Sequence, residues 1–213
     1  CPLLGRHPSG RCKPGLPSGA AYPTLPDCES MLELTEGMVR IAANAIGDAA
    51  AIQYGEHSID YESAFDRISY GELFENTIGC SMSDENAVRA KATELGFGDA
   101  TTKNHWLLVS DLFDAKTEGE LNPSRPTFVT DFPSAISPLT RPHVDDETLS
   151  HRWELFIAGM EIANAYTELN DPDLQLQRFT EQLEGADDEV NAFRSLDEDF
   201  IHVDIGNVHF NRN

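Results

Sequence analysis

Acidic side chains are concentrated between residues 151 and 171, in a stretch that is otherwise rich in apolar residues. They are Glu154, Glu161, Glu168 and Asp171. Carboxylates in apolar surroundings are costly to bury unless a positive charge lies between them. Mg²⁺ bound to a polyphosphate suits such a pair, because Mg²⁺ takes one or two carboxylates together with substrate oxygens. Glu154 and Glu161 are therefore candidate metal ligands.

A β-hairpin would position these two carboxylates. Apolar residues precede and follow Ala158-Gly159, a small-residue pair that predicts a tight turn. Glu154 and Glu161 would then be diagonal neighbours on one sheet face, with backbones roughly 7–8 Å apart. The alternative is an ordinary hairpin whose two glutamates face solvent. The turn predicts three cross-strand pairs: Ile157 with Met160, Phe156 with Glu161, and Glu154 with Ala163.

The charge balance limits the kinds of partner. The 213 residues include 15 Lys and Arg against 37 Asp and Glu, which gives a formal net charge of −22 at pH 7. Such a chain lacks the basic surface that general nucleic-acid binding requires, so DNA is not an expected partner. No apolar run approaches the roughly 18–20 residues that span a bilayer, and the first residues lack the apolar core of a signal peptide. We therefore expect a cytoplasmic protein without a membrane partner.

The length allows one domain with a sizeable hydrophobic core. The histidines show no metal-binding spacing, and no CxxC pair is present, which favours free thiols over a zinc site or a disulfide framework. The chain begins with cysteine and its first methionine is Met31, which suggests a fragment or a processed product. The four cysteines are Cys1, Cys12, Cys28 and Cys80.

Periodicity and capping residues predict several helices and strands. Residues 1–27 contain six prolines and are expected to be disordered. Apolar residues at helical spacing from Met31 to Ile46 predict an amphipathic helix that ends at Gly47. The further expected elements are a hairpin of 51–54 with 58–61, helices over 69–77, 81–96 and 104–115, a buried strand over 126–132, and a helix from Pro172 to Gly185.

Four stretches resemble one known family, in the family's order along the chain. RWELFIAGMEIANAYTELNDP (152–172) is similar to the hairpin just upstream of the third signature motif of class II lysyl-tRNA synthetases. This resemblance implies an α+β fold over 28–200: part of a class II catalytic domain, with an antiparallel sheet flanked by helices. It also places residues 61–70 outside the sheet. The other stretches are ESMLELTEGMV (29–39), PTFVTDFPSAISPLTRP (126–142), which contains a Ser-Pro-Leu signature, and DDEVNAFRSLDEDF (187–200).

The resemblance also implies a reaction and its site residues. The family activates lysine with ATP and Mg²⁺ and passes it to the 3′ end of tRNA. Glu154 and Glu161 resemble the carboxylates that hold Mg²⁺ and ATP, whereas Asn164, Tyr166 and Glu168 resemble the groups that hold lysine. Glu168 would face the lysine ε-ammonium, and Tyr166 would line the methylenes. No covalent catalytic residue is implied, because catalysis rests on positioning and charge neutralisation.

Strand parity imposes a condition on this site. Asn164 and Glu168 have the opposite parity to Glu161, so a regular strand would direct them to the other sheet face. A β-bulge near 163–165, where the residues are small, would bring all three to one side. We therefore predict a bulge there.

The family's two arginine-bearing signature motifs are not recognisable. Residues 1–27 do not resemble the second motif, and residues 201–213 form a divergent tail where the third is expected. Because those arginines hold ATP, we expect the isolated chain to be inactive. Full-length relatives form homodimers through an earlier motif that is not present here, so dimerisation is not expected either.

Other interpretations remain open. The chain could be a related class II ligase, such as a paralogue that acts on a translation factor, or an aspartyl or asparaginyl relative. Asn164 with Glu168 favours a cationic amino acid over an acidic one. A non-enzyme is the other possibility: a remnant that binds lysine or a partner, or a fragment that does not fold alone.

Overall fold

The structure, a computed structural model, describes residues 28–184. The predictions for residues 1–27, 187–200 and 201–213 lie outside the described residues. The helices are α1 (Cys28–Ile46), α2 (Tyr70–Ile78), α3 (Glu85–Glu94), α4 (His105–Leu112) and α5 (Pro172–Glu184). The strands are β1 (Ile52–Tyr54), β2 (His57–Ile59), β3 (Asp66–Ser69), β4 (Thr127–Pro133), β5 (Leu149–Ile157) and β6 (Met160–Tyr166).

Capping residues begin three of the helices. Ser69, Asp84 and Asn104 each accept a hydrogen bond from a backbone N–H in the first turn of α2, α3 and α4. Gly79, at φ 83°, ends α2 in the left-handed conformation that glycine adopts without strain. The predicted helices are present, although α3 and α4 are shorter than expected. The apolar stripe predicted to pack α1 into the core is largely exposed at Leu34, Met38, Ile41 and Ile46, because α1 packs through Leu32 and Ala43 instead. None of the helices within residues 28–184 is long and apolar enough to cross a membrane.

A four-stranded sheet has the order β3-β4-β5-β6. The β4–β5 and β5–β6 pairs are antiparallel, whereas β3 runs parallel to β4. The expectation that residues 61–70 lie outside the sheet is therefore wrong, because 66–69 form β3. A parallel neighbour needs a long crossover, which α2, α3 and α4 provide between β3 and β4. The predicted small hairpin of β1 and β2 forms separately.

The sheet separates two hydrophobic cores because side chains alternate between its faces. On one face, α2, α3 and α4 pack against Val129, Phe132 and Phe156. On the other face, Leu32 of α1 packs against Leu155 and neighbouring apolar residues of the central strands. The residues of β5 therefore alternate between the two cores, and the even-numbered ones share a face with Val129 and Phe132.

The start of α1 is attached to the central strand. Trp153 Nε1 donates a hydrogen bond of 2.9 Å to the carbonyl oxygen of Cys28. Its indole ring contacts the Phe128 ring edge to face, with centroids 5.1 Å apart. The face of β5 and β6 on the α1 side is thereby covered. Polar side chains of β5 and β6 therefore lie on the opposite face of the sheet.

Candidate active site

The hairpin of β5 and β6 turns at the predicted position. Ala158 and Gly159 form the two-residue loop, with φ values of 52° and 72°. Two consecutive positive φ angles are the signature of the turn type that matches the natural twist of a hairpin. Ile157 then pairs with Met160. The turn thus fixes the register of the strands that carry the acidic residues.

The pairing of β5 with β6 becomes irregular after the second residue pair from the turn. Phe156 lies opposite Glu161 as predicted, but Leu155 lies opposite Ala163, so Ile162 is an extra residue on β6. Glu154 consequently pairs with Asn164, and the predicted pairing of Glu154 with Ala163 is wrong. The cause is the bulge itself, which lies just before the small residues where we expected it.

The bulge assembles one polar surface. Glu154 and Asn164 share a face because they lie directly opposite each other, and Glu161 joins them through its pairing with Phe156. Asn164 Nδ2 donates a 2.7 Å hydrogen bond to Glu161 Oε1. Tyr166 follows on the same side, opposite Arg152.

Glu154 is buried, with 7% of its surface exposed. Burial raises the pKa of Glu154 from 4.5 to about 7, although the ion pair with Arg152 opposes this rise. The negative charge of Glu161 raises the pKa of Glu154 further, and Glu118 adds to this effect. The alternative in which both hairpin glutamates face water therefore fails for Glu154. A bound cation would stabilise the ionised carboxylate at this position.

Arg152 was not among the predicted site residues. It forms an ion pair with Glu154, donates a 3.1 Å hydrogen bond to Ser137 Oγ, and lies 4.4 Å from the centroid of the Phe132 ring. A bulge at Asp131, which has φ 57°, brings Phe132 to this face of the sheet. Strand alternation could have revealed Arg152, because it lies two residues before Glu154.

Glu168 lies beyond the end of β6. It forms an isolated antiparallel bridge with Thr140, and the neighbouring Leu169 N–H donates to the carbonyl oxygen of Leu139. The loop that contains the Ser-Pro-Leu signature is therefore beside Glu168. The Glu168 side chain is exposed, and none of the described contacts joins it to Glu154, Glu161 or Asn164. The structure thus groups four of the five predicted site residues on one face and leaves Glu168 at its end.

The surface is suited to a cation and to an ammonium group. Within residues 28–184 no group of three or more His, Cys, Asp and Glu side chains converges as a metal site. A pair of carboxylates is sufficient for Mg²⁺ when substrate phosphates and water supply the remaining ligands. Glu154 and Glu161 provide such a pair, since Glu161 is near enough for its charge to raise the pKa of Glu154.

Comparison with known proteins identifies the family of the chain. Residues 21–203 match the family described as tRNA synthetases class II (D, K and N), so the chain belongs to that family of enzymes. The predicted α+β class II fold is thereby confirmed, with one parallel strand pair added.

Lysine–tRNA ligases are among the relatives of the chain. It is 35% identical to the one from Staphylococcus epidermidis over 187 residues, which are 85% of this chain and 37% of that protein. It is 36% identical to the one from Aquifex aeolicus over 187 residues, covering 85% and 31%. The one from Christiangramia forsetii is 34% identical over 184 residues, covering 84% and 32%. The chain thus spans about a third of the length of these relatives.

Proposed function

We propose that the chain is the acidic part of a lysine–tRNA ligase active site, where lysine is activated with ATP before transfer to tRNA. The observation that carries this proposal is the bulge at Ile162, which places Glu154, Glu161 and Asn164 on one face. The printed names of the relatives support lysine as the amino acid.

Glu154 and Glu161 are the proposed holders of Mg²⁺ together with ATP. The raised pKa of Glu154 fits this role, because a buried carboxyl beside another carboxylate gains from a nearby cation. When bound, Mg²⁺ neutralises charge on the phosphates. Asn164 donates to Glu161 and so fixes the orientation of that carboxylate.

Asn164, Tyr166 and Glu168 are the proposed lysine-binding residues. The Tyr166 side chain is 39% exposed and lies along the same strand face as Asn164. Its ring can cover the lysine methylenes, while the Glu168 carboxylate pairs with the ε-ammonium. Glu168 is at the end of the surface, where the far end of an extended side chain would lie.

The remaining partners are those that a ligase of this kind requires. We propose ATP as a substrate, the acceptor end of tRNA as the recipient of lysine, and the cytoplasm as the location. Family membership supports ATP and tRNA, and the acidic composition suits a role in which the tRNA backbone does not bind across the whole surface. Dimerisation is not part of this proposal.

Titration calorimetry with the 213-residue chain tests the proposal. Lysine should bind, whereas aspartate and asparagine, the other two amino acids of the family description, should not. Equal binding of aspartate, or no binding of lysine, would contradict the assignment. Lysine-dependent exchange of pyrophosphate into ATP would extend the result from binding to catalysis, and lysine binding without exchange would indicate a binding remnant.

A further inference from the structure

Arg152 is held by three different parts of the fold. It follows His151 on β5 and makes an ion pair with Glu154, two residues further along the same strand. Ser137, from the loop after β4, accepts a hydrogen bond from Nη1 at 3.1 Å. Phe132 of β4 places its ring 4.4 Å from the guanidinium carbon. The Arg152 side chain is 25% exposed, so most of it is enclosed by these groups.

The geometry of a guanidinium explains why these contacts fix the Glu154 carboxylate. The guanidinium group is planar and its N–H donors form a rigid fork, so one contact determines the direction of the others. Ser137 is only 3% exposed, so its hydroxyl oxygen accepts from Arg152 in an enclosed position. A ring face beneath the cation restrains the plane. Together these contacts restrict the direction in which Nη2 meets Glu154.

We infer that Arg152 is a positioning residue that, held by Ser137 and Phe132, orients the Glu154 carboxylate for a divalent cation. The role of Glu154 in cation binding rests on the proposed function, whereas the orientation of Glu154 by Arg152 does not. Nη1 and Nη2 of Arg152 contact Ser137 and Glu154, so the partner that we assign to Arg152 is the Glu154 carboxylate. The Ser-Pro-Leu loop thereby acts on the site through Arg152.

The energetic reason for such a residue is the burial of Glu154. An uncompensated buried carboxylate is strongly destabilising, whereas a buried ion pair is roughly as stable as an apolar pair of the same size. Two apolar residues at these positions would make the folded state about equally stable. The pair is therefore better explained by a need for a carboxylate at position 154.

A double-mutant cycle tests the positioning without any ligand. Arg152→Met, Glu154→Gln and the double variant are compared with the wild-type chain in denaturant unfolding. At pH 9, where Glu154 is ionised in the wild-type chain, Arg152→Met alone should reduce the folding equilibrium constant by about 100-fold, because it leaves a buried carboxylate without a partner. The double variant should recover most of that loss. Independent, additive effects of the two substitutions would overturn the inference.

Metal affinity tests the role of the positioning. Mn²⁺ binding in the presence of ATP is measured by electron paramagnetic resonance for the full 213-residue chain. Arg152→Lys keeps the charge but loses the fork, so the affinity for Mn²⁺ should fall by about 10–100-fold. Ser137→Ala should shift it in the same direction by a smaller factor, even where the melting temperature is unchanged. Arg67→Lys is the matched control, because it makes the same substitution at an arginine that pairs with Glu29 on an exposed surface.

The two kinds of failure are distinguishable. Unchanged or tighter Mn²⁺ binding by Arg152→Lys would overturn the positioning role, since it would show that Arg152 is neutral or competes with the metal. A wild-type chain that binds no Mn²⁺ would instead overturn the proposed metal function of Glu154 and Glu161. In that case the double-mutant cycle still decides whether Arg152 positions Glu154.

Discussion

Asn164 lies directly opposite Glu154 in the ladder between β5 and β6, and its amide also donates to Glu161. Glu161 and Asn164 are three positions apart, so on a regular strand the two would lie on opposite faces. Ile162, the extra residue of the bulge, removes this conflict. Groups proposed for the cation and for lysine thus share one surface because of a local irregularity.

Stability should depend on pH through Glu154. Its pKa is raised from 4.5 to about 7, so the folded state holds more protons than the unfolded state between these values. The stability associated with Glu154 is therefore greatest below 4.5 and falls by roughly 3 kcal/mol as the pH rises through 7. Denaturant unfolding of the wild-type chain and of Glu154→Gln at several pH values measures this difference.

The control for this titration is Glu120→Gln, which alters an exposed carboxylate. Glu120→Gln changes the net charge by the same amount as Glu154→Gln without altering a buried group. If Glu154→Gln and the wild type show parallel pH profiles, Glu154 does not titrate as its buried environment requires.

Lysine affinity should depend on Glu168. Glu168→Gln keeps the shape but removes the charge that we propose faces the ε-ammonium, so lysine should bind about 10–100-fold more weakly. Because Glu168 is exposed, the melting temperature should hardly change. Calorimetric titration gives the affinity, and Glu147→Gln, an exposed acid on the loop before β5, is the matched control. Equal losses in the two variants would point to a general effect of negative charge.

Replacement of Ala158 in the hairpin turn should stabilise the folded protein. Ala158 has φ 52°, a region that costs an alanine roughly 1–2 kcal/mol. Ala158→Asn creates an Asn-Gly turn, so the free energy of unfolding should rise by about 0.5–1 kcal/mol. Denaturant unfolding checks this, with Ala45→Asn on the exposed side of α1 expected to lower stability slightly. A loss of stability at position 158 would contradict the positive φ there.

The packing of α1 against the sheet should depend on Leu32 and much less on Leu34. Leu32 is 1% exposed and packs in the core beneath Trp153, so Leu32→Ala should cost about 2–5 kcal/mol of unfolding free energy. Leu34 on the same helix is 48% exposed, and Leu34→Ala should cost far less. Chemical denaturation of the two variants compares them directly. Similar losses would mean that α1 packs through a different face.

Much of the candidate site could be inferred from the sequence. The turn at Ala158-Gly159 follows from local conformational preferences, and the helix starts at Ser69, Asp84 and Asn104 follow from side-chain capping. Strand parity, taken with the site residues that the family resemblance implied, required a bulge in β6. Its position at Ile162 was missed by one residue, because a bulge is located by packing of the whole strand rather than by the size of the residues near it.

The sequence by itself determined the family, the hairpin and the identity of the acidic residues, because these depend on residue types and on spacing along the chain. Only the tertiary structure decided that residues 66–69 join the sheet as a parallel strand and that Arg152 meets Ser137 and Phe132 beside Glu154. Those contacts join residues that are distant in sequence, so no local pattern encodes them. Burial of Glu154, and with it the raised pKa, is likewise a property of the packed sheet.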